Sequence, residues 1–289
     1  MPSAYVNGEF VRLEDAKVSI LDRGFMFADG VYEVAAILGG RLVDNDAHLA
    51  RLARSLGEVS IPSPLPLDEI ARLEAELVRR NAVEEGTLYL QVTRGAGDRD
   101  FTFPEPARPT LIMLTQARDL VNAALAERGI RVVTVPDIRW KRRDIKTVAL
   151  IAQVLAKQEA KRRGADEAWM VEDGFVTEGG SSNAFIATKD GAIVTRRPDT
   201  SILSGITRKS VLALAAERGI ALDERPFSVA EAHAAAEAFL TSASTFVLAV
   251  VAIDGRPVGD GRPGPLARRL REIYLEFARS SPGEGAAGE

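Results

Sequence analysis

The hydrophobic pattern of this chain comes in blocks of two periods. Residues 3–6 and 9–12 alternate with period two around Asn7-Gly8, so a tight hairpin is predicted there. Asp22 to Leu38 opens on a polar, Gly- and Phe-containing turn. From Val31 onward it becomes a buried-type strand that Gly39-Gly40 turns into residues 41–43. His48 to Leu56 repeats apolar residues at three- and four-residue spacing, a helix started near Asp44 and stopped at Gly57. That spacing puts His48 and Arg51 on one face. A second helix is predicted over about 67–80, after the Pro-rich stretch 62–67. Strands over 87–94 and 110–114 bracket a long polar loop, 95–108, which carries Arg99 and Phe101.

The pattern restarts after residues 116–121, which makes that segment the predicted linker between domains at 1–115 and 122–280. A short helix, a strand over 130–135 and a helical run from Thr147 to Arg163 come next. Leu150, Ile151, Val154 and Leu155 form the apolar spacing of that run, and Gly164 stops it. Two strands, 167–171 and 175–178, are predicted around Glu172-Asp173-Gly174, and a hairpin over 183–188 and 192–196 around Asp190-Gly191. A helix over 207–218, a capping box of Ser228 and Glu231, strands over 238–241 and 245–253 and a terminal helix over 265–278 complete the pattern. Residues 281–289 read as a disordered tail. Strands and helices mix without strict alternation, so the expected class is α+β (mixed α/β) in two domains.

Composition narrows the function. With 289 residues and 46% hydrophobic content the chain can bury a substantial core. A net charge of −4 offers no electrostatic case for nucleic acid or an anionic membrane. No apolar run approaches the roughly 20 residues that span a bilayer. The N-terminal residues show no signal-peptide pattern, and a cytoplasmic protein is expected. The absence of cysteine excludes disulfides and thiolate catalysis. His48 and His233 are the only histidines, so no metal site is expected.

The candidate chemistry sits in one stretch. Lys146 precedes the Thr147 helix, and the strand ending at Glu178 runs into the Gly- and Ser-rich turn Gly179 to Asn183. A potential amine nucleophile and a carboxylate delivered by one β/α unit suggest Schiff-base chemistry with a cofactor. Such a lysine needs desolvation or a nearby cation to lower its pKa, and Lys141, Arg142 and Arg143 lie just upstream. Gly205-Ile206-Thr207 opens a helix, whose free amides suit a phosphate, and Ser242 and Ser244 offer hydroxyls.

DIKT, LAKQEA, VTEGGSSNAF and SILSGITR, in this order, resemble the pyridoxal-phosphate enzymes of fold type IV. The similarity runs from the N-terminal hairpin to about Ile253, and is nearest to the D-amino-acid transaminase branch. It implies that Lys146 forms the imine with pyridoxal 5'-phosphate and that Glu178 pairs with the pyridine nitrogen. It also implies a cofactor site built from Arg51, Lys146, Glu178, Ser182, Asn183, Leu203, Gly205, Ile206, Thr207, Ser242, Ala243 and Ser244. In that set Arg51 is the cationic phosphate ligand, and His48 is a supporting or structural residue.

For the substrate carboxylate the resemblance implies Tyr32 with Arg99, from a loop reaching the neighbouring subunit of a homodimer. The family's histidine is replaced here by Phe101 and its strand lysine by Ala36. Arg94, Arg23 and Arg143 are candidate substitutes. Arg139 and Trp140 also match that branch, Trp140 as a core residue without a catalytic role. The implied reaction moves an amino group from D-alanine or D-glutamate to 2-oxoglutarate or pyruvate. Alternatives are a branched-chain L-amino-acid transaminase, an R-amine transaminase, an aminodeoxychorismate lyase and a scaffold without cofactor. The VTRG loop and the DIRW segment speak against the lyase. Branched-chain enzymes usually carry a tyrosine where this chain has Val148 to Ile151.

Overall fold

The computed structural model describes residues 1–280, so the predicted tail at 281–289 lies outside the described residues. The chain divides into two compact units. One comprises Met1–Asp119, Ile145–Ala149 and the chain end from Ala278; the other comprises Leu120–Asp144 and Leu150–Phe277. Sequence reading kept 122–280 continuous, whereas Ile145–Ala149 groups with the first unit.

In the first unit the elements are β1 (Ser3–Val6), β2 (Glu9–Arg12), α1 (Arg23–Phe27), β3 (Gly30–Leu38), β4 (Arg41–Leu42), α2 (Asn45–Glu58), α3 (Leu67–Arg80), β5 (Glu85–Thr93) and β6 (Thr110–Ala117). They build a six-stranded sheet in the order β2-β1-β6-β5-β3-β4. Asn7 and Gly8 take φ of 47° and 104°, which is why that dipeptide makes the β1–β2 hairpin. Leu49, Leu52 and Leu56 of α2, with Ile70 and Leu77 of α3, pack on Val31, Leu88, Leu90 and Val92. Tyr32 and Val34 lie on the opposite strand face and stay half-buried.

The second unit contains α4 (Ala124–Arg128), β7 (Ile130–Pro136), α5 (Ile151–Arg162), β8 (Glu167–Glu172), β9 (Phe175–Gly179), β10 (Asn183–Ala187), β11 (Ile193–Thr195), α6 (Ile206–Glu217), β12 (Leu222–Glu224), α7 (Val229–Ala234), β13 (Glu237–Ser242), β14 (Phe246–Ile253), β15 (Arg256–Pro257) and α8 (Pro265–Ser280). Its nine-stranded sheet runs β12-β11-β10-β13-β14-β7-β8-β9, with β15 paired to β14. Trp169, Phe227, Leu240 and Leu248 centre its core. No described helix is long and apolar enough to cross a membrane.

Three expectations are corrected here. The helix predicted from Thr147 begins at Ile151, because residues 145–149 run alongside β3. Tyr32 N donates to Lys146 O at 3.0 Å, and Val148 N donates to Gly30 O at 3.0 Å. The apolar spacing of α5 also points outward. Ile151, Val154 and Leu155 are 70%, 57% and 53% exposed, and the helix buries Ala156 and Ala160 against Val133, Ala168 and Met170. The small side chains let the helix lie close to the sheet, so its larger apolar residues remain outside. Trp140, read as core, is 49% exposed.

Candidate active site

In the first unit, the two backbone bonds to β3 hold Lys146 beside Tyr32, with Nζ 4.2 Å from the centre of the phenol ring. The lysine is half-buried. Tyr89, a diagonal neighbour across β3–β5, stacks on Tyr32 with ring centres 5.6 Å apart. Its hydroxyl donates to Gln91 Oε1 at 2.7 Å. Burial, with Tyr32 beside it, pushes Tyr89 up to about 12, so that hydroxyl keeps its proton. Lys146 and Tyr32 are therefore presented together by one strand edge.

Arg51, the expected phosphate ligand, is engaged by a carboxylate on the residue that follows Tyr32 in the same strand. Its Nε donates to Glu33 Oε1 at 2.8 Å and its Nη2 to Glu33 Oε2 at 2.7 Å. His48 Nδ1 meets Glu33 Oε2 at 2.8 Å, so His48 supports the pair from one turn away. Burial alone would raise Glu33, but the Arg51 guanidinium and the His48 contact bring it down to about 2. Sequence reading passed over Glu33, although its position beside Tyr32 in a buried strand marks it as a charge that needs a partner.

The loop after β5 shows which cations are taken. Arg94 donates to Asp29 through Nε at 2.8 Å and Nη2 at 3.0 Å, and to the carbonyls of Ser60 and Val59. Arg23 donates to the same Asp29 at 2.8 Å and to the carbonyls of Asp100 and Thr102. Both side chains are buried and build the base of the loop. Arg143, in the second unit, pairs with Glu172 and Asp137. Arg99 touches only rings, with its guanidinium 5.5 Å from the Phe27 centre and 5.8 Å from Phe101. Phe101 is 78% exposed and packs on Phe27 at 5.3 Å.

The cations upstream of Lys146 are neutralised. Lys141 and Arg143 share Glu172, and Arg142 pairs with Asp144. Each thus meets a carboxylate, and none is free to serve as the positive neighbour that the sequence suggested.

In the second unit, β9 delivers Glu178 into a fully enclosed position. It accepts from Arg139 Nη1, from Asn183 Nδ2 at 2.9 Å and from Leu203 N at 3.1 Å. Burial pushes its carboxyl above the usual range, with Arg139 pulling the other way. Asn183 Nδ2 also donates to Leu203 O at 2.9 Å, tying the carboxylate to the segment that enters α6. Gly205, at the N-cap of α6, has its Cα so close to Asn183 that a Cβ there would lie 2.0 Å from Oδ1. No side chain caps α6, and Ile206 and Thr207 open it. Ser242 bonds Thr245 at 2.7 Å and Ser244 at 3.4 Å, around Ala243.

Two buried hydroxyls on this unit lack any protein partner, Ser182 Oγ and Thr241 Oγ1. Thr241 lies directly across from Asn183 in the β10–β13 ladder, on the same face. A buried hydroxyl without a partner costs about 1–3 kcal/mol. Orphan donors beside an uncapped helix N-terminus fit a phosphate-bearing group, and Glu178 fits the protonated nitrogen of a pyridine ring. Sequence reading named Ser182 and missed Thr241, whose only sign was its place at the end of an apolar strand before Ser242.

The same architecture occurs in known proteins. The model of the amino-transferase class IV family matches residues 30–253. A D-alanine aminotransferase of Staphylococcus aureus is 39% identical over 281 residues, 97% of this chain and 99% of that protein. One from Bacillus licheniformis is 38% identical over 265 residues, 92% of this chain and 93% of that protein. Among solved structures, the branched-chain aminotransferase of the thermophilic archaeon Thermoproteus uzoniensis with norvaline is 26% identical, with TM-score 0.84, over 96% of this chain and 94% of that chain. The chain belongs to the class IV aminotransferases of fold type IV, and is a pyridoxal 5'-phosphate-dependent enzyme.

Proposed function

We propose that the enzyme moves the amino group of a D-amino acid, D-alanine or D-glutamate, to 2-oxoglutarate or pyruvate. The observation that carries this reading is the likeness over 97% of the chain to D-alanine aminotransferases, at 39% identity. Bound pyridoxal 5'-phosphate supplies an electron-accepting ring and a carbonyl that takes up amines. Lys146 would hold the cofactor through Nζ and carry the substrate's α-proton on that atom once released. Glu178 would accept from the ring nitrogen. Arg51, Ser182, Gly205, Ile206, Thr207, Ser242, Ala243 and Ser244 are the candidate phosphate site, with Asn183 and Leu203 holding Glu178 in place.

Tyr32 and Arg99 are the candidate carboxylate ligands, with Phe101 beside Arg99 instead of a second donor. Arg23, Arg94 and Arg143 are all committed to acidic partners, so Arg99 is left among these candidates as the carboxylate-binding cation. That single cation favours a second activity on R-amines, which have no carboxylate to hold. The enzyme acts as a homodimer in the cytoplasm on this reading. The outward stripe of Ile151, Val154 and Leu155 supports a second copy as partner.

A substrate panel tests it. D-alanine, D-glutamate, L-leucine and an R-arylethylamine are offered with 2-oxoglutarate and pyruvate. D-alanine or D-glutamate is expected to be the best donor. L-leucine as best donor would replace the reading with the branched-chain one.

A further inference from the structure

Glu178 ends a line of alternating charges that runs in from the surface of the second unit. Lys141 and Arg143 meet Glu172, with Arg143 Nη1 to Glu172 Oε2 at 2.8 Å. Arg143 Nη1 also lies 3.4 Å from Asp137 Oδ2. Asp137 takes Arg139 in a two-pronged grip, from Nε at 2.9 Å and from Nη2 at 2.7 Å, and accepts from the Thr177 hydroxyl at 2.7 Å. The remaining arm of Arg139, Nη1, donates to Glu178 Oε1. The side chains of Arg143, Asp137, Arg139 and Glu178 are all nearly inaccessible to water.

The stretch Asp137-Ile138-Arg139-Trp140 achieves this by alternation. Ile138 and Trp140 face solvent, while Asp137 and Arg139 turn inward. Nothing in local propensity demands an arginine there. A buried arginine is costly unless it is bound on every side, and Asp137 leaves one arm over. That arm is spent on Glu178, although Asn183 and Leu203 already hold the same carboxylate. The groups facing Glu178 are therefore Arg139 and, behind it, Asp137, from the segment after β7; Asn183 from β10; and the Leu203 amide. Arg139 is the one positive charge in contact among these described groups.

We propose that Arg139 is a positioning residue that holds Glu178 as a carboxylate, and so holds the proton it shares with the cofactor on the ring nitrogen. The proposal rests on the reading of Glu178 as the ring's partner. One proton is at stake. A carboxylate with a protonated ring has the same atoms and the same total charge as a carboxylic acid with a neutral ring. Which form prevails depends on whether a cation touches the carboxyl oxygen. In an enclosed site a carboxyl without such a contact keeps the proton, and burial already pushes Glu178 in that direction. The Arg139 guanidinium lies against the carboxylate, and so favours the form whose ring can draw electrons.

The test compares holoenzyme of wild type, Arg139→Met, Arg139→Lys, Glu178→Gln and the double variant, each loaded with cofactor labelled with ¹⁵N in the ring. The ¹⁵N chemical shift reads where the proton sits, independently of turnover. Expected is a protonated ring nitrogen in wild type and Arg139→Lys, and a neutral one in Arg139→Met. Cofactor retention and KM should be preserved in Arg139→Met, with kcat lower by about 10- to 100-fold, as for loss of one charge-assisted hydrogen bond. The double variant should be no slower than Glu178→Gln alone. Should Arg139→Met misfold with Asp137 left bare, Asp137→Asn/Arg139→Met removes both charges and is read the same way. A protonated ring nitrogen in the folded Arg139→Met or Asp137→Asn/Arg139→Met protein would overturn the proposal. A Glu178→Gln protein with a protonated ring and normal kcat would instead overturn the assignment of Glu178 itself.

Discussion

Glu33 and Arg51 form a buried two-pronged ion pair, with Nε to Oε1 at 2.8 Å and Nη2 to Oε2 at 2.7 Å. It sits on the strand that carries Tyr32, and pins α2 to that strand. Glu33→Gln leaves the Arg51 charge inside without its partner, and is expected to destabilise the fold by about 3–5 kcal/mol. Urea unfolding at neutral pH measures this. The pair also sets an acid limit. The folded pKa of Glu33, about 2, is below its ordinary 4.5, so its contribution is complete above 4.5 and is lost as pH falls toward 2. The expected loss is about 3 kcal/mol across that window, absent in Glu33→Gln. An identical acid-unfolding slope in the variant would contradict it.

Lys146→Ala is expected to lower transamination by about 10²–10⁴-fold, since a proton carrier at the reacting carbon contributes that much. Treatment of the holoenzyme with borohydride should fix the cofactor to wild type and leave the variant without a covalent link. A fixed cofactor on Lys146→Ala would assign the amine elsewhere.

How much of this was legible follows from what each signal depends on. Period-two and period-3.6 patterns placed α3 at Leu67–Arg80 and the hairpin at Asn7-Gly8, because those elements bury one face against a near neighbour. The start of α5 was misplaced, because Thr147 and Val148 follow tertiary backbone bonds to β3 that local pattern does not encode. The exposed face of α5 was misjudged for a related reason, as two alanines suffice to seat it. Lys146 and Glu178 were reached by motif. The pairings of Glu33, Asp137 and Arg139 were not, because their meaning lies in which buried charge meets which. The parallel strand β12, Leu222–Glu224, has three exposed residues, two of them acidic, and left no trace in the pattern.

Gly205→Ala probes the link between the carboxylate and the helix that opens beside it. The backbone of Gly205, at φ −66°, suits any residue, so the obstacle is space alone. A methyl group there would meet Asn183 Oδ1 at 2.0 Å and Arg208 Cβ at 3.3 Å. Either Asn183 gives up Glu178 or α6 shifts, at a cost of about 1–3 kcal/mol. Cofactor affinity, measured by titrating the apoprotein, is expected to fall about tenfold or more. Unchanged affinity would mean that the start of α6 takes no part in holding the phosphate.

Leu155→Glu tests the outward stripe of α5. If a second copy covers Ile151, Val154 and Leu155, a charge in its middle loses about 1.5–3 kcal/mol of apolar burial and adds a buried carboxylate. The dimer dissociation constant, followed by sedimentation, should rise by at least about tenfold. A variant as tightly dimeric as wild type would place the contact on another face.

Phe101→His asks whether the aromatic side chain beside Arg99 sets donor preference. Arg99 rests against Phe27 and Phe101 and has no acidic partner among the described residues. It can therefore receive a carboxylate, but Phe101 offers it no second hydrogen bond. A histidine at that position adds a donor about where the ring edge now lies. One hydrogen bond to a charged group is worth about 1.5–3 kcal/mol. The variant's kcat/KM for D-alanine should rise by about 10- to 100-fold, while that for an R-arylethylamine stays flat or falls. Arg99→Ala should do the opposite, costing D-alanine turnover far more than amine turnover. If both substitutions change the two donors equally, residues 99 and 101 do not meet the substrate carboxylate, and the anchor has to be sought around Tyr32 and Gln91 on the open face of the first sheet.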